Sequence, residues 1–465
     1  MLRAENQAIA HSNIIKQLET KQKTLFSLTT PIDPFDPVVF YKQGTPNTEG
    51  KRFFWKSANE DFYLVGVGAA LLFSNLAKKN RFDDIHQFWK DIVQNAEIEG
   101  SSIIGTGPLL FGGFSFDPDT GKEQEWSDFG DTFFYLPKYM LTIVNGQHFL
   151  TFNQIMDPAG ENKTSLYKHI EEYMNDLLAR QSTVAVEQVS ITSCTEIGQA
   201  EWVKAVEEIV NLLKSTDIKK VVLARKMIIE FSKSPSIATV LEQLRRNQSG
   251  SFTFALESGS SCFLGASPER LVKKTGEEVL STCLAGSAPR SKDPGEDEWL
   301  GKNLLNDAKN RYEHQLVVNM IKNALNPICT NLIVPEEPIL MKTPAIQHLY
   351  TPITGRAKAG QSIFKMVERL HPTPALGGVP TIEALKIIRE KEKMDRGLYA
   401  GPIGWTDFRG NGEFIVGIRS GLIQNNNAIL YAGCGLVPDS NPQDELIETR
   451  IKFRPMLHAL GGEEK

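Results

Sequence analysis

Apolar residues recur along this chain with two different periods, which predicts both helices and strands. Segments with a helical period are residues 11–24, 83–93, 164–181, 201–213, 299–325 and 382–394. The longest of these, residues 299–325, is predicted as one continuous helix. Residues 68–79 are mostly small and are also predicted as a helix.

Short runs rich in β-branched and aromatic residues predict the strands of an antiparallel sheet. These runs are residues 38–41, 53–55, 62–66, 105–116, 132–144, 219–225, 251–256, 261–265, 413–420 and 428–432. Between two of them, the acidic residues Glu123, Glu125 and Asp128 are expected on a solvated loop. The polar residues 181–196 are interpreted as a connection between two halves of the chain.

The last predicted strand leads into the most informative part of the sequence. Gly433 and Gly435 follow it, and they are expected to let the backbone turn tightly and approach a ligand. A helix is predicted next, with Ser440 or Asn441 as its N-terminal cap and Pro442 in its first turn.

Three charged residues of this helix, Glu445, Glu448 and Lys452, lie three and four positions apart and therefore share one face. Two carboxylates and an ammonium in this arrangement suit a divalent cation and an anionic ligand. Spacing alone favours a different interpretation, a solvated Glu–Lys pair on a surface helix. The preceding glycines and the acidic residues elsewhere in the chain shift the balance to a binding site.

Two residues are candidates for proton transfer. Lys220 enters a β-rich run where a lysine is unusual, and burial beside a cation would make its amine a usable base. The alternative is a lysine at the solvent edge of the strand. Pro268 fixes a turn that would present Glu269 at the mouth of a sheet, where partial burial would raise its pKa and suit a general acid. Ser-Pro-Glu also occurs in ordinary loops.

Four further residues are weaker candidates. Ser287 lies in a small-residue turn that ends a strand, where a ligand could touch backbone amides. Glu313 lies beside the apolar stripe of a helix, so it is a surface charge unless a second carboxylate cluster joins it. His348 is either a site residue or a satisfied core histidine. Arg419 provides a fork that suits a carboxylate.

Composition excludes several classes of function. The chain has 465 residues, of which 41% are hydrophobic and 23% charged, as in an ordinary globular protein. Its formal charge of −5 and pI near 6.0 give no general attraction for nucleic acid or for an anionic membrane.

The cysteines and the N-terminal sequence point to the cytoplasm. Five cysteines lie far apart without a Cys-x-x-Cys pair, which argues against a disulfide framework and against a thiolate zinc site. The first residues lack an apolar core followed by a cleavage site, and no apolar run approaches the ~20 residues that span a bilayer.

Taken together, the motifs resemble those of the chorismate-utilising enzymes, in order, over residues 201–457. The motifs are Lys220 before Val-Val-Leu-Ala-Arg, Ser-Pro-Glu269, Leu-Ala-Gly-Ser287, Glu313-His314, Gln-His348-Leu, His-Pro-Thr-Pro-Ala375, Arg419 and the Glu-x-x-Glu448 helix. The resemblance implies an α+β fold of large antiparallel sheets packed face to face with helices outside. Residues 198–458 would form the chorismate-binding core, and residues 1–190 would complete the same sheets.

The resemblance also implies the chemistry. Family branches that add ammonia lack a lysine at the position of Lys220, and branches that add water have it. We therefore expect an isochorismate synthase, in which Lys220 activates a water that attacks C2 of chorismate and Glu269 protonates the departing C4 hydroxyl. Mg²⁺ would be held by Glu313 and Glu448, with water-bridged help from Glu445, and would bind the ring carboxylate.

The remaining implied residues contact the substrate. Arg419, Lys452 and the amide of Gly433 would hold the enolpyruvyl carboxylate. The pocket would be shaped by Ser287, His348, Ala375, Leu376 and Tyr399. Chorismate is the only expected partner, since water chemistry needs no amidotransferase subunit, and neither nucleic acid nor membrane is expected.

Three alternatives stay open. A salicylate synthase shares the lysine and goes on to eliminate pyruvate. An isochorismate synthase could serve a siderophore pathway, although the Arg-Gly-Leu-Tyr-Ala-Gly run starting at Arg396 favours the menaquinone branch. The fold could also persist as a binding protein without activity, which the intact base, acid and metal-binding glutamates argue against.

Overall fold

The computed structural model describes residues 23–44, 48–157, 163–179, 189–343 and 346–462. The helix expected at residues 11–24 lies outside these residues except for its last two positions, and Thr24 begins a strand.

The strands, in chain order, are β1 Thr24–Ile32, β2 Arg52–Lys56, β3 Phe62–Asn75, β4 Glu97–Gly100, β5 Leu109–Phe114, β6 Thr132–Val144, β7 Gln147–Met156, β8 Ile191–Glu196, β9 Lys220–Phe231, β10 Phe252–Ser258, β11 Ser261–Ser267, β12 Arg270–Thr275, β13 Glu278–Pro289, β14 Cys329–Ile333, β15 Ile339–Lys342, β16 Ile346–Ala357, β17 Gly378–Val379, β18 Pro402–Asp407, β19 Gly412–Val416, β20 Ser420–Gln424 and β21 Asn427–Leu436.

The helices are α1 Pro37–Lys42, α2 Arg81–Gln94, α3 Lys163–Ala179, α4 Gln199–Ser215, α5 Ile237–Asn247, α6 Pro294–Asn306, α7 Ala308–Leu325, α8 Ile363–Leu370, α9 Thr381–Glu392 and α10 Pro442–Ala459. None of the helices in the described ranges is both long enough and apolar enough to cross a membrane.

Hydrogen bonds join the described strands into one network that includes both halves of the chain. Every described pairing is antiparallel except that of β1 with β4. Strand β2 pairs with β10, and β5 pairs with β18, so strands that are distant in sequence become neighbours.

Aromatic contacts between unpaired strands show that parts of this network pack face to face. The rings of Phe53 on β2 and Phe111 on β5 are stacked with centroids 4.2 Å apart. Phe62 on β3 and Trp405 on β18 are stacked at 5.4 Å. Alternate strand residues point to opposite faces, and Phe54 belongs to a second core beneath helices α1, α5 and α10. The predicted fold of antiparallel sheets with helices outside is thus confirmed.

Two local predictions are wrong because tertiary or capping contacts override the sequence pattern. Residues 38–41 belong to helix α1, because Asp36 caps the amides of Val38 and Val39 and Pro37 occupies the first turn. Residues 68–75 continue strand β3 instead of forming a helix. They pair with β6 across a bulge that begins after Ala69, so pairing outweighs the helix propensity of small residues.

The predicted helix at residues 299–325 is two helices. Asp307 ends α6 in an extended conformation, and its carboxylate caps α7 by accepting a hydrogen bond from the amide of Asn310 at 2.7 Å. The capping chemistry of an aspartate therefore interrupts a continuous apolar stripe. Helices predicted at residues 83–93, 201–213 and 382–394 are confirmed as α2, α4 and α9.

Candidate active site

Lys220 begins strand β9 and its side chain is buried, only 4% exposed. Val221 pairs with Gly378 of β17 on one side and with Leu436 of β21 on the other, so the lysine starts a central strand. Its ammonium forms an ion pair with Glu313 on helix α7. The solvent-edge interpretation of Lys220 is therefore wrong. Its ion-pair partner is a carboxylate of the predicted metal site and not the cation that was expected beside it.

Gly435 makes room for this ion pair. A Cβ atom at Gly435 would lie 2.5 Å from Cε and 3.0 Å from Nζ of Lys220, and 3.4 Å from Oε1 of Glu313. Gly433 and Gly435 are both inside strand β21, so the expected tight turn is wrong. The absence of a side chain at position 435 lets the lysine lie across the strand.

Glu269 lies between strands β11 and β12 and is 7% exposed. Burial raises the pKa of this carboxyl to about 7, although the positive charges of Lys220, Lys452 and Arg419 act in the opposite direction. A carboxylic acid in this state can donate a proton near neutral pH. The structure thus brings the predicted acid into the electrostatic field of the predicted base.

Helix α10 presents its charged face to strand β21. Lys452 donates hydrogen bonds to Oε1 of Glu448 at 2.5 Å and to the carbonyl oxygen of Gly433 at 2.9 Å. Burial opposes ionisation of Glu448, but the charges of Lys452, Arg419 and Lys220 outweigh it and lower the pKa of the carboxyl. The predicted pair of Glu448 and Lys452 is therefore present. Because Lys452 also bonds the backbone of strand β21, the pair differs from a freely solvated one.

Glu445 lies one turn before Glu448. Its Oε1 accepts a hydrogen bond from the Ser440 hydroxyl at 2.7 Å. Its Oε2 is buried and, within the described part of the chain, has no hydrogen-bond partner of good geometry; the neighbouring Cys434 thiol is only a weak donor. Burial, reinforced by the charge of Glu448, raises the pKa of Glu445.

Arg419 occupies a sharp corner between β19 and β20, where its φ of 51° is left-handed. Burial lowers the pKa of its guanidinium, whereas Tyr399, Glu448 and Glu269 raise it. Arg419 therefore interacts electrostatically both with the predicted acid, Glu269, and with Glu448 on the charged face of α10. The strand predicted over residues 413–420 ends earlier than expected, at Val416. Arg419 lies after this strand, in the corner that precedes β20.

His348 and Ser287 are cross-strand partners on β16 and β13. Burial, and then the charges of Arg419 and Lys452, lower the pKa of His348 to about 3, so the ring is neutral at pH 7. A hydrogen bond to the backbone of Gly286 orients it. Ser287 is exposed beside a bulge where Gly286 has a φ of 80°.

The apolar candidates lie next to strand β9. Leu376 is buried, Ala375 is half-buried, and both precede β17, which pairs with the start of β9. Tyr399 is buried, and its hydroxyl and the Arg419 guanidinium act on each other's pKa. That these three residues line a substrate pocket stays a prediction.

A buried ion pair that sequence reasoning missed ties these segments together. Arg396 pairs with Glu392 and donates to the carbonyl oxygens of Leu376 at 3.0 Å and Val222 at 2.9 Å. Glu392 also accepts from the amide of Ala224 at 2.7 Å. The four-residue spacing of Glu392 and Arg396 was the available signal, and it does not reveal contacts with β9.

The predicted metal ligands fit a hard divalent cation by their chemistry. All three are carboxylates, and Glu445 keeps a buried oxygen without a good partner. Ammonium groups pair with the other two, Lys220 with Glu313 and Lys452 with Glu448. Among the described residues, no group of three or more potential ligands is already arranged around one point.

A cavity of about 420 Å³ lies elsewhere in the molecule. Its lining includes Ser57, Glu60, Lys273, Trp405 and Glu413, and none of the residues predicted for the chorismate site. The candidate site is therefore defined by converging charges on β9, α7 and α10, with Glu269 and Arg419 beside them, and not by this cavity.

Comparison with known proteins defines the class. A family profile described as chorismate binding enzyme matches residues 9–461, and the chain belongs to this family. The chain is 40% identical over 455 residues to isochorismate synthase MenF of Bacillus subtilis, which covers 97% of this chain and 96% of that protein. It is 35% identical over 447 residues to the salicylate biosynthesis isochorismate synthase of Pseudomonas aeruginosa, covering 94% and 91%.

A solved structure supports the fold. The menaquinone-specific isochorismate synthase MenF of Escherichia coli superposes with a TM-score of 0.78, covering 97% of this chain and 99% of that one. Its sequence identity is 24%, so this likeness concerns the fold alone.

Proposed function

We propose that this protein is a Mg²⁺-dependent isochorismate synthase, which adds water at C2 of chorismate with loss of the C4 hydroxyl. The observation that carries the proposal is the joint burial of Lys220 and Glu269, with the pKa of Glu269 raised to about 7. The isochorismate synthases of Bacillus subtilis and Pseudomonas aeruginosa, similar over more than nine-tenths of the chain, support it.

The two residues have complementary roles in this proposal. Lys220, in its deprotonated amine form, takes a proton from the attacking water, and the protonated Glu269 carboxyl gives a proton to the departing hydroxyl. One water enters as one leaves, so the reaction is an isomerisation. Near pH 7 about half of Glu269 is protonated, which matches the requirement for an acid.

Charged residues around this pair would hold the rest of the substrate. Glu313 and Glu448, assisted by Glu445, would bind Mg²⁺, which when bound supplies positive charge for the ring carboxylate. Arg419, Lys452 and the Gly433 amide would bind the enolpyruvyl carboxylate. The pocket around the ring would be shaped by Ser287, His348, Ala375, Leu376 and Tyr399.

We further propose that the enzyme serves menaquinone synthesis in the cytoplasm, without an amidotransferase subunit. The Bacillus subtilis relative shares the name MenF with the menaquinone-specific isochorismate synthase of Escherichia coli, which supports the pathway. Four of the five cysteines are buried as thiols, which fits a reducing compartment.

Incubation with chorismate, with and without Mg²⁺, tests the reaction when isochorismate, salicylate, pyruvate and anthranilate are resolved. We expect isochorismate, formed only with Mg²⁺. Salicylate with pyruvate would instead identify a salicylate synthase, which would use the same lysine. Chorismate binding without turnover would identify a binding protein.

Substitution of the base tests the mechanism. Lys220→Ala should lower kcat by at least about 100-fold, the usual contribution of a general base, while calorimetry still detects chorismate binding. The matched control is Lys219→Ala, because Lys219 is the preceding residue and is exposed. Full activity in Lys220→Ala would remove the proposed base.

A further inference from the structure

The acidic loop of the N-terminal half is attached to the catalytic half. Glu125 lies in a short 3-10 turn, Gln124–Trp126, and its side chain is only 16% exposed. Its Oε1 accepts a hydrogen bond from the Tyr431 hydroxyl at 2.7 Å, and both of its oxygens lie 3.2 Å from Nζ of Lys226. The expectation of a solvated loop is therefore wrong for Glu125.

Three aromatic rings extend from this turn toward the candidate site. The rings of Trp126 and Tyr431 have centroids 5.8 Å apart, and Tyr431 is stacked on Tyr399 at 5.2 Å with an interplanar angle of 20°. Tyr399 in turn interacts electrostatically with Arg419. A continuous row of contacts thus joins the N-terminal half to residues predicted to bind substrate.

The turn that carries Tyr399 is shaped by the same segment. Gly397 has a φ of 52°, and a Cβ atom there would lie 2.0 Å from the Trp126 ring. The amide of Phe116 donates to the carbonyl oxygen of Gly397 at 2.7 Å. Residues of the N-terminal half therefore pack directly against the turn that carries Tyr399.

We propose that Glu125 is a positioning residue for the chorismate site: its hydrogen bond fixes Tyr431, and the Tyr431 ring supports Tyr399 against the substrate. The inference rests on the proposed function, because it takes Tyr399 to line the chorismate pocket. It assigns a functional contribution to the half of the chain without catalytic residues.

Substitution of the neighbouring Glu123 provides a control that distinguishes the positioning role of Glu125 from a general contribution to the stability of the loop. Glu123 pairs with the same Lys226, at 2.7 Å, and belongs to the same loop. The Tyr431 hydroxyl bonds Glu125 and not Glu123. Loss of either carboxylate leaves Lys226 with one partner, so only the Tyr431 contact distinguishes the two variants.

The experiment compares Glu125→Leu, Glu125→Gln and Glu123→Leu by steady-state kinetics and thermal unfolding. In Glu125→Leu we expect the KM for chorismate to rise roughly fivefold, because Tyr399 loses part of its support, with kcat within about twofold of the wild type. Glu125→Gln keeps an oxygen acceptor for Tyr431 and should restore most of the affinity. Glu123→Leu should keep the wild-type KM.

A second variant keeps the test decisive if Glu125→Leu does not fold. Tyr431→Phe removes only the hydroxyl and should raise KM to the same extent, and adding Glu125→Leu to it should raise KM no further. Equal KM changes in the Glu123 and Glu125 variants, an unchanged KM in both Glu125→Leu and Tyr431→Phe, or additive effects would overturn the proposal.

The outcome is distinguishable from failure of the proposed function. If the wild type forms no isochorismate from chorismate and Mg²⁺, the proposed reaction fails, and the dissociation constant of chorismate from calorimetry replaces KM for the same variants. A fivefold weaker Kd in Glu125→Leu and Tyr431→Phe would still support the positioning role. An unchanged Kd in both would overturn it.

Discussion

At the scale of single residues, the protonation state of Glu269 predicts how activity depends on pH. Its pKa is about 7, and only the protonated carboxyl can act as an acid. We therefore expect kcat/KM to fall as the pH rises above about 7. The neutral ring of His348, whose pKa is about 3, does not titrate in this range.

Glu269→Gln checks this assignment in two ways. Its residual activity should lack the fall above pH 7. The folded-state pKa of Glu269 is raised above its ordinary 4.5, so its contribution to stability is complete below pH 4.5 and is lost as the pH rises through 7. The variant should therefore gain up to about 3 kcal/mol of unfolding free energy over the wild type between pH 4.5 and 8. A parallel pH dependence of the two melting temperatures would contradict the buried acid.

Sequence spacing predicts residue contacts only within an element. The shared face of Glu445, Glu448 and Lys452 follows from helical geometry, and the structure places Glu448 and Lys452 in contact. The ion pair of Lys220 with Glu313 joins positions 93 residues apart, and no local pattern encodes that separation. The prediction of a solvated Glu125 fails for the same reason, because its hydrogen-bond partner, Tyr431, lies 306 positions away.

At the scale of elements, the crossing of Lys220 over strand β21 predicts the effect of Gly435→Ala. The new Cβ atom would meet Cε of Lys220 at 2.5 Å. The flexible end of a lysine can move aside, so the fold should survive while the amine is displaced. We expect kcat to fall by at least about 100-fold, as for loss of the base, with a small change in melting temperature.

The double variant Gly435→Ala, Lys220→Ala provides the control. If displacement of the lysine causes the loss, the double variant should be no less active than Lys220→Ala alone. A further large loss would show that the methyl group disturbs the site by another route.

Elements are predictable from sequence where local pattern and long-range pairing agree. Helices α2 and α4 have clear amphipathic stripes, and both were predicted correctly. Residues 68–75 have a composition that favours a helix, but in an extended conformation they form hydrogen bonds with β6. The long-range pairing therefore outweighs the local helix propensity. At Asp307 the decisive contact is local, a capping hydrogen bond with the amide of Asn310. The continuous apolar stripe on either side nevertheless predicted a single helix.

At the scale of the whole molecule, shared strands predict that residues 189–462 do not fold alone. A fragment of residues 189–462 would leave β10 without β2 and β18 without β5, and it would expose the faces that Phe53 and Phe111 cover. We expect aggregation or the absence of a cooperative unfolding transition, as measured by size-exclusion chromatography and circular dichroism.

Coexpression with residues 1–188 is the corresponding control and should restore a soluble complex with activity toward chorismate. A monomeric fragment of residues 189–462 that unfolds cooperatively would contradict this prediction.

The general architecture could be predicted from the sequence because a series of motifs resembles those of a family with a known fold. The pairing of β2 with β10 could not, since strand partners depend on cross-strand packing between distant positions.

The backbone of Arg419 has a consequence for engineering this protein. A left-handed conformation costs a residue with a side chain roughly 1 kcal/mol, whereas glycine adopts it freely. Glycine also lacks a guanidinium to receive an anion. If Arg419 binds the enolpyruvyl carboxylate as proposed, thermal stability and substrate affinity compete at position 419. A screen that scores only melting temperature would then select substitutions that weaken substrate binding.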